Sequence, residues 1–142
     1  MKMSVSLPSL FVAGVLVLGA GALAWRFWSS AAPPTASVKV PELSAVALRG
    51  KLAFETNCAS CHGTNGAGSD NGPPLVHAIY NPGHHGDRAF FLATTRGVQR
   101  HHWNFGNMPP LPEVTEGQIA DIVRYVREMQ EANDIFYQPH QM

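Results

Sequence analysis

Apolar residues recur with the period of an α-helix near the carboxyl end of the chain. One face of this predicted helix carries Ile119, Ile122, Val123, Val126 and Met129. Thr115 and Gln118 have the spacing of a capping box, which marks where a helix begins. Val114 and Ile119 occupy the hydrophobic-staple positions around that cap. The pattern therefore predicts an amphipathic helix that begins just after Thr115.

A second helix is predicted over residues 45–57, with Ser44 as its N-cap. Its inward side chains would be Leu48, Leu52 and Phe54. The helix would deliver its carboxyl end directly to the residues that follow Asn57.

A third, shorter helix is expected between Asp87 as N-cap and Gly97 as C-terminal stop, with Phe90 and Phe91 inside it. Gly, Asn, Pro and His dominate residues 63–86, which predicts loops and turns. Three helices joined by long Gly/Pro loops form an all-α domain with a weak core. Such a domain usually needs a metal, a disulfide or another covalent aid at its centre.

The amino terminus differs, since the 23 consecutive residues 3–25 carry no charge. As a helix they would extend about 34 Å, enough to cross a hydrocarbon core of about 30 Å. Arg26, with Trp25 and Trp28 beside it, is typical of a membrane interface. We therefore expect a single transmembrane helix. The alternative is a secretory signal cleaved near Ser29-Ser30-Ala31.

These patterns divide the chain into four parts. They are an anchor or uncleaved signal over 1–28, a Pro/Ala/Ser-rich tether over 29–43, a globular domain over 44–134 and a tail over 135–142. Three prolines favour extended backbone in the tether.

The two cysteines, Cys58 and Cys61, stand three positions apart and are followed at once by His62. A disulfide across so short a loop would stabilise little. A thioredoxin-like pair needs a βαβ context, and zinc needs four ligands. C-x-x-C-H is the signature of covalent haem attachment, with two thioethers and a proximal imidazole. We therefore predict one haem c, with zinc and dithiol chemistry as the alternatives.

A sixth ligand to the haem iron is expected from Met108, in the segment FGNMPPLP. Met1 and Met3 precede the predicted anchor, Met129 lies on the helical stripe, and Met142 ends the chain. Prolines after Met108 stiffen its loop, which suits a ligand. His/Met ligation raises the reduction potential and closes the iron to exogenous ligands.

The order of these features resembles a class I c-type cytochrome over residues 44–130. The shared order is helix, C-x-x-C-H-G, Gly/Asn-rich loop, short helix, N-M-P-P and closing amphipathic helix. The resemblance implies the cytochrome c fold around one haem. It also implies that the first and last helices of the domain cross at Gly50, Phe54 and Tyr125.

By the same resemblance, Cys58 and Cys61 carry the thioethers, while His62 and Met108 bind the iron. Haem c is attached on the outer face of the energy-transducing membrane. We therefore expect a single-pass protein of a bacterial inner membrane, with its amino terminus in the cytoplasm and its haem domain in the periplasm.

Five of the seven histidines lie within residues 77–103, and they are His77, His84, His85, His101 and His102. They have three interpretations. In the first, they cap turns, contact haem propionates or lie on the surface. In the second, His84, His85, His101 and His102 bind a second metal, copper or zinc. In the third, His101 or His102 replaces Met108 as the distal ligand.

Charge is balanced overall but uneven along the chain. Ten basic residues match ten acidic ones with no basic block, which argues against a nucleic-acid partner. Arg88, Arg96 and Arg100 share the His-rich region, and Arg96 and Arg100 are candidates for propionate contacts. Residues 113–134 hold six acidic residues against two arginines. Docking to redox partner proteins would then depend on ionic strength.

We therefore expect a single-electron carrier rather than an enzyme, because no Ser/His/Asp set, paired carboxylates or small-molecule substrate site is evident in the sequence. One alternative is a haem-bearing, electron-entry subunit of a membrane oxidoreductase complex. The other is a periplasmic copper-handling or redox-sensing protein that uses the His-rich segment.

Overall fold

The computed structural model describes residues 7–28 and 37–139. The chain divides into two units, Met1–Ala31 and Ala32–Met142. The helices are α1 (Leu7–Trp28), α2 (Ala45–Asn57), α3 (Ala59–His62), α4 (Asp87–Arg96) and α5 (Glu116–Ala132). Two single-turn 3-10 helices, Thr64–Gly66 and Ala78–Tyr80, lie in the loops. The described residues form isolated β-bridges but no strands, so the predicted all-α fold is confirmed.

The prediction of a transmembrane helix, and with it the inner-membrane localisation, is wrong. Within residues 7–28 and 37–139, no helix is both long enough and apolar enough to span a bilayer. The prediction relied on the absence of charge over residues 3–25, and an uncharged stretch is not by itself a membrane-spanning helix. The Ser29–Ala31 cleavage alternative and residues 29–36 of the predicted tether lie outside the described residues.

Helices α2 and α5 begin where the sequence predicts. The Ser44 hydroxyl accepts a hydrogen bond from the Ala47 backbone N–H at 3.2 Å, which caps α2. At the start of α5 the backbone N–H of Gln118 donates to the Thr115 hydroxyl, and that of Thr115 donates to Gln118 Oε1. Both halves of the capping box are therefore present, and each satisfies an otherwise unpaired N–H of the first turn.

The core forms where α2 crosses α5. At Gly50 an added Cβ would lie 1.9 Å from the Asp121 carbonyl oxygen, so the two backbones touch there. Phe54 and Tyr125 are fully buried beside this contact, with ring centroids 5.5 Å apart. The crossing at small and aromatic residues, expected from the family resemblance, is confirmed.

The predicted inward face of α2 is partly wrong. Leu48 and Leu52 are exposed, while Ala47, Gly50 and Phe54 face α5. The backbones approach so closely at Gly50 that no side chain fits there, and the small Ala47 and the ring of Phe54 pack beside that contact. The apolar stripe of α5 is buried throughout, as predicted.

Helix α4 begins one residue earlier than expected. Asp87 is its first helical residue and Gly86 is the N-cap, while Gly97 ends it with φ of 74°. Beyond the helix, the Leu111 N–H donates to the Thr94 carbonyl at 2.7 Å, which ties the following loop back to α4.

Two polar residues of α5 hold the loops in place although they are buried. Arg127 donates to Asp87 Oδ1 and to the Tyr80 and His85 carbonyls. Gln130 Nε2 donates to the carbonyls of Leu75 and Tyr80, at 2.9 Å each. These bonds satisfy loop carbonyls that would otherwise be buried without a partner.

The first and last described segments of the second unit contact its core. Residues 37–43, from the predicted tether, include Val38 and Leu43, which pack on the core. The Lys39 N–H and carbonyl both bond to the Asn133 side chain, at 2.9 and 2.8 Å. In the predicted tail, Ile135 packs on the same core. The four-part division of the chain stays a prediction.

Candidate haem site

The C-x-x-C-H sequence forms a tight turn at the end of α2. The Cys58 N–H closes α2 on the Phe54 carbonyl at 2.8 Å, and the His62 N–H donates to the Cys58 carbonyl at 2.9 Å. Gly63, with φ of 73°, then ends the short helix α3. This geometry brings both thiols and the imidazole to one end of the α2–α3 segment.

Neither cysteine is in a disulfide, and the two thiols have different surroundings. Cys58 is half-buried and Cys61 is exposed. Burial, and then the neighbouring Cys61 thiol, raises the pKa of Cys58 to about 11. Cys58 is therefore a neutral thiol at physiological pH.

His62 is held in one orientation by the backbone. Its Nδ1 lies 2.9 Å from the Pro73 carbonyl oxygen. Because that oxygen only accepts, Nδ1 carries the proton and Nε2 keeps its lone pair. Burial lowers the pKa of His62 below its usual 6.5, against the opposing effect of the Pro73 hydrogen bond. A neutral imidazole with a free Nε2 is the form that binds a metal.

Met108 is fixed at the base of a loop over residues 97–108. Its backbone exchanges two hydrogen bonds with Val98, at 2.9 and 3.0 Å. Asn107 Oδ1 accepts from the Arg100 N–H at 3.1 Å, a second closure just inside the first. An added Cβ on Gly97 would lie 2.5 Å from the Met108 carbonyl oxygen. The methionine therefore has little freedom of backbone position.

A cavity of about 570 Å³ brings these residues together. Its lining includes Cys58, Cys61, His62 and Met108. The volume is within the range of about 300–1,000 Å³ that is usual for ligand sites. The rest of the lining is largely apolar and includes Leu75, Phe90, Phe105, Leu111, Ile119 and Ile122.

Trp103 is a cavity residue that the sequence reasoning did not select. Its indole Nε1 is buried and makes no hydrogen bond of good geometry, although the Tyr80 hydroxyl interacts with the Trp103 side chain. A buried donor that is poorly satisfied is costly, so a further acceptor at this position would be favourable. The sequence feature that could have indicated this residue is its position directly after His101 and His102.

The two arginines chosen as propionate candidates differ in position. Arg100 lines the cavity, and Arg96 does not. Both are exposed, as is Arg88. The structure therefore brings only Arg100 to the cavity.

Four histidines from two loops are brought close together. His84 and His85 follow the 3-10 helix Ala78–Tyr80, while His101 and His102 lie in the loop that ends at Met108. His84 Nε2 and His102 Nε2 are 3.2 Å apart. Burial lowers the pKa of His85 and of His102, and repulsion from the neighbouring imidazoles lowers both pKa values further. For His85, a hydrogen bond to the Ile79 carbonyl opposes this shift.

His77 lies apart from these four. Its Nδ1 accepts from the Ile79 N–H at 3.2 Å, and its ring meets Trp103 edge-on. His77 is therefore a turn cap, as one of the three interpretations has it.

The Cytochrome c family model matches residues 47–130, and the chain therefore belongs to the cytochrome c family. No curated protein and no solved structure matches the chain. Members of the family bind haem c covalently and are in general electron carriers rather than enzymes. The prediction of a c-type cytochrome is confirmed.

The residues around the cavity fit a covalently bound haem. Two reduced thiols and a neutral imidazole form the donor set that C-x-x-C-H attachment needs. Apolar side chains match the porphyrin, and the poorly satisfied Trp103 N–H matches an acidic substituent on it.

Proposed function

We propose that this chain is a monohaem class I cytochrome that carries single electrons between redox partner proteins. Cys58 and Cys61 would hold one haem c by thioethers, with His62 Nε2 and Met108 Sδ as its axial iron ligands. The observation that carries the proposal is the single cavity whose lining contains all four residues. When bound, the haem iron supplies a one-electron couple whose potential is raised by a methionine ligand.

The surrounding residues have separate tasks in this proposal. The Pro73 carbonyl sets the His62 tautomer and strengthens its basicity through the Nδ1 hydrogen bond. The Val98 bridge fixes the backbone position of Met108 in the cavity lining. Apolar side chains from α4 and α5 exclude water. Trp103 Nε1 would donate to a propionate, and Arg100 would pair with one at the cavity rim.

Met108 is a better distal ligand than His101 or His102. Met108 is half-buried and its backbone is fixed on both sides. Both histidines are exposed. Their ring centroids lie 4.2 Å apart, and the ring of His102 also packs against that of His84 in the other histidine loop.

Electron exchange would take place beside the Cys58–Cys61 turn. Cys61 is exposed although it lines the cavity, so the edge bound there would reach the protein surface. Arg100 is exposed at the same cavity, while exposed carboxylates, including Glu116 and Glu131, lie on α5. Partner docking would then be electrostatic, and reduction rates should fall as ionic strength rises. Rates that do not depend on salt would contradict the docking proposal.

The first test is spectroscopic and uses protein from a host competent for haem c maturation. Oxidised and reduced visible spectra, followed by denaturation, show whether a pigment is present and covalently bound. We expect one haem per chain that remains on the denatured polypeptide. Cys58→Ala and Cys61→Ala should each retain a single thioether at most. A pigment that separates on denaturation, or no pigment, would refute the proposal.

A further inference from the structure

Three histidines form a cluster that the haem site does not use. One ring nitrogen from each of His84, His85 and His102 lies within 4.8 Å of the other two. They come from two loops that are far apart in sequence. His84 and His102 are exposed, and His85 is half-buried.

We propose that His84, His85 and His102 form a binding site for a second metal, a divalent ion of borderline softness such as Zn²⁺ or Cu²⁺. Imidazole nitrogen is a preferred ligand for both ions. Three protein nitrogens with one position left for water is a common zinc arrangement. This site is separate from the iron ligands, so it goes beyond the electron-carrier function.

The distances already approach those of a coordination sphere. Two nitrogens bound to one tetrahedral zinc, at about 2.0–2.1 Å each, lie about 3.3 Å apart. His84 Nε2 and His102 Nε2 are 3.2 Å apart. The His85 nitrogen lies within 4.8 Å of the other two, so metal binding requires the side-chain torsions to rotate until the three nitrogens converge.

The least exposed ligand is fixed by second-shell contacts. His85 Nδ1 lies 2.9 Å from the Ile79 carbonyl oxygen, so Nδ1 carries the proton and Nε2 is left for the metal. The His85 carbonyl accepts from Arg127 Nη2, which connects this loop to α5. Backbone carbonyls commonly orient metal-binding histidines in this way.

His101 lies beside the site without being part of the trio. Its Nδ1 lies 2.9 Å from the Gln99 carbonyl oxygen, and its ring centroid is 4.2 Å from that of His102. The cluster borders the haem cavity, since His85 and His102 also line it. The four-histidine hypothesis is thus narrowed to three ligands, of which His85 and His102 line the haem cavity.

The test uses the full-length, haem-loaded protein without an affinity tag, after removal of metals with a chelator. Zn²⁺ and Cu²⁺ are titrated separately by calorimetry, and bound metal is counted after dialysis. We expect one ion per chain. His84→Ala and His102→Ala should each weaken binding at least about tenfold, because each removes a first-shell ligand.

The matched control is His77→Asn, which keeps a turn-capping side chain and removes a histidine outside the trio. It should bind metal as the wild type does. Competition between equimolar Zn²⁺ and Cu²⁺ identifies the preferred ion.

Binding well below one ion per chain, or equal binding by wild type and both variants, would overturn the second site. A sulfur-to-iron charge-transfer band that appears in either variant and is absent from the wild type would also overturn it, because that histidine would then be an iron ligand. Unchanged spectra with lost metal binding support it. The visible spectrum therefore separates failure of this site from failure of the haem proposal.

Discussion

The backbones of Val98 and Met108 exchange two hydrogen bonds, and this single bridge closes a loop of nine intervening residues. The loop carries His101, His102 and Trp103, so its base holds the proposed iron ligand and its body holds His102, one of the three proposed metal ligands. Gly97 directly precedes the bridge and contacts the Met108 carbonyl. The position of the thioether therefore depends on a residue with no side chain.

Two glycines of this loop make a matched test of that dependence. Gly97 and Gly106 both have positive φ, at 74° and 91°. Only Gly97 meets the Met108 backbone, and nothing lies within 4 Å of a Cβ on Gly106. Both alanine substitutions carry backbone strain, but Gly97→Ala should also displace Met108.

Near-infrared absorption of the ferric protein checks this prediction. Gly97→Ala should weaken the sulfur-to-iron charge-transfer band, and Gly106→Ala should keep it. Equal spectra in the two variants would show that the close contact does not position Met108.

The α2–α5 crossing predicts the effect of one methyl group on stability. Gly50→Ala would place a Cβ 1.9 Å from the Asp121 carbonyl, so the helices must separate. We expect a loss of about 1–3 kcal/mol in the free energy of unfolding. In Gly117→Ala the methyl group meets nothing within 4 Å, and the change should be neutral or stabilising. Denaturant unfolding of both variants measures the difference, and equal stabilities would contradict a tight crossing.

The buried position of Arg127 predicts a large loss in the free energy of unfolding when its charge is removed. It is 9% exposed and donates to Asp87, Gln130 and loop carbonyls. Arg127→Met removes the donor to the His85 carbonyl and to Gln130 Oε1, while the Tyr80 carbonyl keeps its bond from Gln130 Nε2, so we expect a loss of about 3 kcal/mol. Arg124→Met, on the exposed side of α5, should cost about 1 kcal/mol or less. Chemical unfolding compares the two, and similar losses would contradict the proposed difference in burial.

Glu128 predicts a pH dependence of stability. Burial alone would raise the pKa of Glu128, but hydrogen bonds from Ser44 and Arg124 outweigh it and hold the pKa below 4.5. Because the folded pKa is lowered, the unfolded chain binds more protons between the two values. The stabilisation is therefore complete above pH 4.5 and is lost as the pH falls through the folded pKa.

Unfolding free energies measured from pH 7 down to pH 3 test this. Glu128→Gln should flatten the acid side of the profile, and Glu131→Gln, an exposed carboxylate of the same helix, should leave it unchanged. An unaltered slope in Glu128→Gln would show that this group does not contribute.

The sequence predicts those features that have a local cause. The α5 stripe and the Thr115–Gln118 box are read within one helix, and both are present. The face of α2 could not be predicted by hydrophobicity, because its partner approaches too closely for Leu48 or Leu52. Arg127 gave no signal either, since a charged residue on a helix is ordinarily solvated.

The candidate site shows the same division. Cys58, Cys61 and His62 follow from a contiguous motif, and Met108 was selected among five methionines by exclusion. All four line one cavity. The histidines that lie close enough to share a metal could not be predicted, because the conformations of two loops decide it. Of the four proposed ligands, three have ring nitrogens within 4.8 Å of one another. The buried Trp103 donor could only be recognised in the structure, where it is poorly satisfied.

Met108 as the distal ligand is the central claim, and the near-infrared spectrum of the ferric protein tests it most directly. The wild type should show a sulfur-to-iron charge-transfer band. Met108→Ala should lose the band and have a lower reduction potential, with its haem still covalent. Met129→Leu, a conservative change in the α5 core, should keep the band. A band that persists in Met108→Ala, or is absent from the wild type, would contradict the account.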